Sequence, residues 1–297
     1  MSATATATAT RSRKRKIEPF TIISTVCVTV FALLCFIPLW MILAGSFTAE
    51  SKLALDGYSL FPSPFSLEAY QQIFAGKALG KAYAASLFIT IVGTLLSTMF
   101  SAGLAWVIAR KMPYISRTLM IFAYVPMVFT AGLVPMYLLV TQYLKLQNSW
   151  WAVILPHMMA PFLVFIAVSF FQQLPGEILE SARIDGASEL RIFFSIVLPL
   201  SKPILAVIAL FYAVTYWNEW FYSILFLTQP DKFPLQLVLQ NLIANVTNAS
   251  QISESGVPAI YQLRLALTVV TIGPILLAYP FAQRYFVKGL TLGATKG

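Results

Sequence analysis

The sequence predicts an all-α protein that crosses a membrane several times. Its 297 residues are 59% hydrophobic and only 10% charged, and the mean hydropathy is +0.78. A soluble domain carries roughly a quarter charged residues, so this chain has too little polar surface to face water on all sides. Its apolar residues fall into six long runs, each close to the ~20 residues with which a helix crosses the hydrocarbon core.

These six runs are the predicted transmembrane helices of one transmembrane domain, residues 17–287. They cover residues 20–45, 83–109, 118–141, 150–172, 203–227 and 263–286. Several contain proline, which spanning helices tolerate where neighbouring helices or water satisfy the freed carbonyl groups. We therefore expect some of the helices to be kinked.

The distribution of basic residues predicts the orientation. Residues 1–16 hold an Ala/Thr repeat, expected to be disordered, and a basic run that either binds nucleic acid or lipid headgroups or simply keeps the N-terminus inside. With a cytoplasmic N-terminus, 14 of the 20 Lys and Arg residues lie on the cytoplasmic side, in agreement with the positive-inside rule. The net charge of +9 is then an orientation signal, which argues against a nucleic-acid partner. Residues 173–202 and the tail 288–297 also fall in the cytoplasm.

Two longer segments, residues 46–82 and 228–262, lie outside under this topology. The first contains a short amphipathic stretch at 67–74, and the second is predicted to be a polar linker. Either the two segments receive a partner or a substrate, or they only cap helix ends. The sequence leaves both possibilities open.

Several kinds of chemistry find no support in the residue pattern. Cys27 and Cys35 would lie about 12 Å apart along one helix, beyond the reach of a disulfide. No Cys/His cluster has the spacing of metal ligands. The nearest approach to a phosphate-binding Walker loop, residues 76–82, is one residue short and ends in Ala82 where a hydroxyl is needed. We predict no catalytic, metal or nucleotide site in this chain.

Residues 177–199 form a charged segment between predicted spans four and five. Glu177 and Glu180 are expected in the first turn of a helix, where carboxylates complement the helix dipole. Gly186 is expected to allow a left-handed turn before a second helix over 187–197. Such a segment at a membrane surface is either a docking site for another protein or an interfacial loop without a partner.

A second polar cluster, Trp217, Asn218, Glu219 and Trp220, lies in the outer half of predicted span five. A carboxylate within a span costs about 2.5–3.5 kcal/mol on insertion, so it faces a cavity, a partner or an aqueous path. Amide and carboxylate groups beside indole rings suit sugars, which favours a substrate path. The alternatives are an aromatic belt with Glu219 reaching water, or a Glu219 paired with a cation of a neighbouring subunit.

His157, the sole histidine, lies in predicted span four. It either lines the substrate path or is a hydrogen-bonded interior residue. A proton relay is disfavoured because no acidic neighbour is visible in the sequence.

The segment 177–199 resembles the corresponding loop of type I ABC importer permeases, in the carbohydrate-uptake branch related to the maltose-importer permeases. The shared pattern is Glu, a small residue, Ala, three residues, Gly, nine residues, Ile, one residue, Leu, Pro; here it reads Glu180, Ser181, Ala182, Gly186, Ile196, Leu198 and Pro199. Ser181 stands where the family more often has Ala. The resemblance extends to 62–70, 217–221 and 288–297. Within the branch, the chain most resembles the subgroup that contains the bacterial alginate-oligosaccharide importer. The resemblance implies that it is the second permease subunit of such an importer.

The resemblance implies a type I ABC importer permease fold with six transmembrane helices in a bacterial inner membrane. It implies an ATPase-coupling loop at 173–202, in which the contact residues are Glu180, Ser181, Ala182, Asp185, Gly186, Ala187, Ile196, Leu198 and Pro199. The tail residues Thr295, Lys296 and Gly297 would also reach the ATPases; a frayed end is the alternative.

The implied partners are a second homologous permease, two ATPase subunits, an extracytoplasmic solute-binding protein and membrane lipid. ATP and Mg would be bound by the ATPases, and no cofactor by this chain, which would not itself be an enzyme. The implied cargo is an oligosaccharide moved by alternating access, and an acidic one such as alginate oligosaccharide is the narrower expectation.

Two other classes of membrane protein compete with this interpretation. A secondary transporter driven by an ion gradient needs acidic groups in several spans, and only Glu219 qualifies. A membrane-embedded enzyme needs a catalytic pair, for which His157 and Glu219 are the only candidates.

Overall fold

A computed structural model describes residues 19–75, 77–252 and 261–276. All regular structure in these residues is helical, apart from one isolated bridge between Thr48 and Phe65. The prediction of an all-α fold is confirmed. The predicted disordered tail 1–16, the tail 288–297 and its residues Thr295, Lys296 and Gly297 lie outside the described residues.

The first helix, α1 (Pro19–Ser46), is apolar around its whole circumference and is exposed over most of its length. Cys27 and Cys35 are both exposed on it and unpaired. Only the C-terminal end of α1, at Ala44 and Ser46, is buried against the rest of the chain. An apolar helix exposed in this way is expected to contact lipid or another membrane subunit.

Two short helices follow, α2 (Glu50–Asp56) and α3 (Glu68–Ala75), in the segment predicted to lie outside. The second covers residues 68–74 of the predicted amphipathic stretch at 67–74. The carboxylate of Glu50 accepts hydrogen bonds from the backbone N–H groups of Tyr261 and Gln262, at 2.9 and 2.7 Å. These are the first residues of the last described helix, α15 (Tyr261–Leu276), so Glu50 caps that helix and complements its dipole.

The central element is α4 (Lys77–Ala109), which packs most extensively against α12 (Lys202–Trp217) and α8 (Pro161–Phe171). Close approach is possible because small side chains line the contact. Ala102, Ala105 and Ala167 are all fully buried in this core.

Two described helices, Pro19–Ser46 and Leu79–Ala109, are each long and apolar enough to cross a membrane. Three pairs of helices have the length and composition of a span only when taken together, and they bend by 117°, 51° and 84° at their breaks. The described residues therefore contain two spanning helices, or up to five if each bent pair is one span. The last ten residues of predicted span six, 277–286, are not among them.

The third predicted span, 118–141, is not a single helix. Helix α5 (Ile115–Val128) ends at an extended Phe129, and after Gly132, with φ +85°, the chain enters α6 (Leu133–Leu138), which a π-turn continues to Tyr143. The positive φ at Gly132 lets the chain change direction without a steric penalty, and the two helices meet at 117°.

The fourth and fifth predicted spans are also interrupted. Helix α7 (Trp151–Ile154) passes into a 3-10 turn (Leu155–His157), and α8 begins at Pro161 after an extended Ala160. Proline at the first helical position disfavours an α conformation in the residue before it, which explains the break. Helix α12 ends at Trp217, and α13 (Phe221–Phe226) starts after residues 218–220.

The second outer segment, predicted as a polar linker over 228–262, contains the helix α14 (Leu235–Ile252). The linker prediction was wrong for these residues. Leu235 and Leu237 are fully buried, and the backbone N–H of Leu235 donates to Ser86 Oγ at 2.8 Å. Burial of apolar residues against α4 thus stabilises a helix that the surrounding Asn and Gln residues obscure in the sequence.

Candidate functional site

The segment between α8 and α12, predicted to be cytoplasmic, folds as two short helices around Gly186. Helix α9 (Gly176–Ile184) has Glu177 in its first turn, and Gly186 has φ +77°. Glu180 lies in the second turn of α9, so its predicted place in the first turn was wrong.

The second helix, α10 (Glu189–Ile192), begins two residues later than the predicted start at 187. The reason is Ser188, whose Oγ accepts from the backbone N–H of Arg191 at 3.4 Å and caps the helix. A π-turn (Phe193–Val197) and α11 (Leu198–Leu200) lead from α10 to α12.

The predicted coupling residues divide into an outward group and an inward group. The outward group is exposed: Glu180, Ser181, Asp185, Gly186 and Pro199. The inward group is half-buried: Ala182, Ala187, Ile196 and Leu198. Ile184 and Leu190, which the motif does not include, are 83% and 72% exposed. Large apolar side chains exposed beside carboxylates are typical of a protein-docking surface.

One carboxylate connects this segment to the transmembrane core. Glu189 Oε2 lies 2.5 Å from a guanidinium nitrogen of Arg110, just past the end of α4, and Oε1 lies 3.3 Å from Arg183 Nε in α9. Neither Glu189 nor Arg110 was among the predicted site residues. The sequence predicts that both lie on the cytoplasmic side, but nothing in it pairs residues of different loops.

The breaks in predicted spans four and five face each other. His157 Nε2 is hydrogen-bonded to Glu219 Oε2. Glu219 Oε1 accepts from the backbone N–H of Tyr222 at 2.6 Å. The Glu219 side chain is only 8% exposed. Both carboxylate oxygens of Glu219 are therefore hydrogen-bonded within this chain. Its side-chain partner, which could not be identified from the sequence, is His157.

Two tyrosines of α12 satisfy the backbone at the break in span four. The Tyr216 hydroxyl donates to the carbonyl oxygen of Ile154 at 2.9 Å and lies 2.7 Å from Ser97 Oγ of α4. The Tyr212 hydroxyl accepts from the backbone N–H of Ala160 at 2.9 Å and lies 2.6 Å from Ser101 Oγ. Inside a membrane such freed groups have no water to bond, so these contacts permit the break. The sequence signal for this arrangement is the shared spacing of four residues, between Ser97 and Ser101 in α4 and between Tyr212 and Tyr216 in α12.

The other predicted path residues differ in exposure. Trp217 is buried and donates from its indole N–H to the carbonyl oxygen of Thr271 at 3.1 Å. Asn218 is exposed, with its amide N–H on the Val214 carbonyl oxygen. Trp220 is 40% exposed. Asn218 and Trp220 are thus the members of the cluster that are available to a solute.

The described residues contain no group of three or more His, Cys, Asp or Glu side chains that could hold a metal ion. Two concave spaces among the described residues are lined mainly by apolar side chains. A cavity of about 230 Å³ between α4, α12 and α15 is lined by Leu87, Thr90, Leu210, Ala213, Val214, Trp217, Pro274 and Ile275.

The chain is similar to permeases of bacterial transport systems. The protein LplC of Bacillus subtilis is 39% identical over 264 residues, which cover 88% of this chain and 89% of LplC. The polygalacturonan/rhamnogalacturonan transport system permease protein YtcP of B. subtilis is 38% identical over 271 residues, or 90% of this chain and 94% of YtcP.

A solved structure shares the fold. A chain in the crystal structure of a bacterial ABC transporter involved in the import of the acidic polysaccharide alginate superposes with a TM-score of 0.80 at 26% identity, covering 93% of this chain and 100% of that chain. Residues 97–292 match the family model described as binding-protein-dependent transport system inner membrane component. The resemblance to ABC importer permeases is confirmed. This chain belongs to the family of inner membrane components of binding-protein-dependent transport systems.

Proposed function

We propose that this chain is one permease subunit of an ATP-driven importer that moves an oligosaccharide into the cytoplasm by alternating access. The observation that carries the proposal is the segment 176–200, in a chain of the binding-protein-dependent family. Its two helices present Glu180, Ile184 and Leu190 to water. A segment of this kind provides a surface on which a separate ATPase docks.

The complete importer then contains a second permease, two ATPase subunits that bind ATP and Mg, and an extracytoplasmic binding protein. This chain binds no cofactor and hydrolyses nothing. Both of its termini are cytoplasmic, which follows from the distribution of Lys and Arg residues. The tail residues Thr295, Lys296 and Gly297 make a second contact with the ATPases.

The interrupted spans support alternating access. Broken helices near the middle of a membrane are common at transporter binding sites, because they free backbone groups and allow hinge motion. In this chain the breaks at 158–160 and 218–220 are connected through His157 and Glu219. Asn218 and Trp220 beside them offer an amide and an indole ring to a sugar.

The cargo class that best fits is an acidic oligosaccharide. YtcP is named for polygalacturonan, and the structural relative takes part in the import of alginate; both polysaccharides are acidic. A free carboxylate on the path would repel such a cargo. Glu219 does not present one, because both of its oxygens are engaged by His157 and Tyr222.

The coupling role is tested by a matched pair of glycine substitutions. Gly186 and Gly57 have φ +77° and +74°, and neither has a described atom within 4 Å of an added Cβ. An aspartate therefore strains the backbone at both positions, and Gly57, with ψ −156°, is in a region that is essentially restricted to glycine, so it is a stringent control for strain. Only Gly186 lies on the proposed docking surface. Gly186→Asp should abolish co-purification of the ATPases and ATP-driven uptake, whereas Gly57→Asp should retain both. Uptake driven by an ion gradient without ATP would contradict the proposal and favour a secondary transporter.

The cargo is tested with the reconstituted importer and its own binding protein. Trigalacturonate and trimannuronate should each accelerate ATP hydrolysis and accumulate inside proteoliposomes. Maltotriose and arabinotriose, of similar length but neutral, serve as controls. If only a neutral trisaccharide stimulated ATP hydrolysis, the proposal of an importer would stand and the proposal of an acidic cargo would be wrong.

A further inference from the structure

Glu189 lies where three parts of the cytoplasmic side meet. It is the first residue of α10, and its two oxygens contact Arg110, just past the end of α4, and Arg183 in α9. One carboxylate thus joins both helices of the coupling segment (176–200) to the inner end of the central transmembrane helix.

The Arg110–Glu189 contact is the one ion pair, among those that the described residues form, between the coupling segment and another part of the chain. The remaining contact is apolar and includes Leu179, Ala182 and Ile192. Apolar packing is non-directional and allows small sliding motions. A close ion pair fixes one point of contact, because sliding of the segment along the core would separate the two opposite charges.

Helix α4 is well placed to carry a displacement from its inner end into the membrane. It runs without interruption from Lys77 to Ala109. In its middle, Ser97 and Ser101 are bonded to Tyr216 and Tyr212. The same tyrosine hydroxyls bond the backbone on either side of the break in span four.

We propose that the Arg110–Glu189 pair is the connection through which the coupling segment moves α4, so that losing it uncouples ATP hydrolysis from transport while leaving the transporter assembled. The inference rests on the proposed function. Both residues act as positioning residues, since neither belongs to the matched docking motif. The Glu189 and Arg110 side chains are 44% and 21% exposed, and partly exposed pairs contribute little to folding stability. The expected effect is therefore on coupling.

The test compares Arg110→Gln, Glu189→Gln and the double variant in the complete transporter, reconstituted with its mate permease, ATPases and binding protein. The readout is the amount of trisaccharide imported per ATP hydrolysed, with whichever of trigalacturonate or trimannuronate the unaltered transporter takes up faster. Each single variant should lower this ratio about fivefold or more, in the range usual for coupling between sites. The double variant should be no worse than Glu189→Gln alone, because both substitutions remove the Arg110–Glu189 pair and only Glu189→Gln also affects the contact with Arg183.

Two controls separate coupling from damage to the fold. ATPase co-purification and the thermal unfolding midpoint of the complex should match those of the unaltered transporter, and Arg110→Lys, which keeps the charge, should recover at least half of the ratio. Lys81→Gln breaks an exposed ion pair to Asp231, 2.8 Å long, at the outer side, and should leave the ratio unchanged.

An unchanged ratio in both single variants, or additive losses in the double variant, would overturn the inference. So would a loss of ratio that appears only together with a lower unfolding midpoint. Failure of the proposed function has a different signature, in which no ATPase co-purifies with the unaltered chain; that result would overturn both proposals.

Discussion

Glu219 and His157 are hydrogen-bonded to each other across 62 residues of sequence. The contact joins the break in span four to the break in span five, and it leaves the carboxylate almost fully buried. The second carboxylate oxygen holds the first turn of α13 through the backbone N–H of Tyr222. A charged residue that looks like a solute contact in the sequence is therefore also a structural link between two interrupted helices.

Removal of the Glu219 carboxylate should destabilise the fold. Glu219→Ala leaves the His157 ring and the Tyr222 N–H without their acceptor, and we expect a loss of about 3 kcal/mol in unfolding free energy. Glu219→Gln keeps an acceptor for Tyr222, so it should lose only about 1 kcal/mol. Unfolding by detergent titration measures both. Equal stability of Glu219→Ala and the unaltered protein would show that the pair has no structural role.

The Tyr216 hydroxyl should contribute measurably through its two bonds. Tyr216→Phe removes the contacts with Ser97 and the Ile154 carbonyl oxygen, and we expect a loss of about 1 kcal/mol, in line with interhelical hydrogen bonds in membranes. A double-mutant cycle with Ser97→Ala measures the interaction energy between the Tyr216 and Ser97 hydroxyl groups. Tyr143→Phe is the control, because Tyr143 is 79% exposed. A cycle with no interaction energy would disprove the contact.

Close packing of α4 against α12 predicts a position-specific effect of alanine. A Cβ at Gly93 would lie 2.7 Å from ring carbons of Tyr216. Gly93→Ala should therefore cost about 1–3 kcal/mol through overpacking. Gly103, in the same helix, has no described atom within 4 Å of its added Cβ, so Gly103→Ala should be neutral or stabilise by up to about 1 kcal/mol. Thermal unfolding in detergent distinguishes the two, and similar midpoints would contradict the packing.

Asn148 fixes the position of the chain that follows α13, at the end of predicted span five. Its Oδ1 accepts hydrogen bonds from the backbone N–H groups of Thr228 and Gln229, at 2.7 and 3.1 Å, and from Thr228 Oγ1 at 3.0 Å. Its φ is +58°, a conformation that asparagine tolerates better than most residues.

Asn148→Ala should cost about 2 kcal/mol, since it removes these bonds and leaves a strained backbone. Asn148→Asp retains the acceptor and should be nearly neutral, whereas Asn148→Gly relieves the strain but not the lost bonds. Unfolding free energies of the three variants should therefore rank Asp, Gly, Ala from most to least stable. An alanine variant as stable as the aspartate variant would show that Oδ1 is dispensable.

The sequence by itself determined the class of the protein and the position of the two short helices around Gly186. Composition and apolar run length are summed properties of the chain, so they establish helices in a membrane without knowledge of contacts. Gly186 was also predictable, because a left-handed turn is a local requirement that its neighbours define. Its φ of +77° agrees.

Only the tertiary structure decided where the spans break and which residues face each other across the breaks. Ala160 is extended because of Pro161. The break in span four is stabilised because Tyr212 and Tyr216 form hydrogen bonds with the free backbone N–H of Ala160 and carbonyl oxygen of Ile154. The pairs His157–Glu219 and Arg110–Glu189 likewise depend on how separate helices pack. Such contacts have no periodic signature in one sequence, since the spacing between partners is set by the connecting chain and not by the geometry of any single helix.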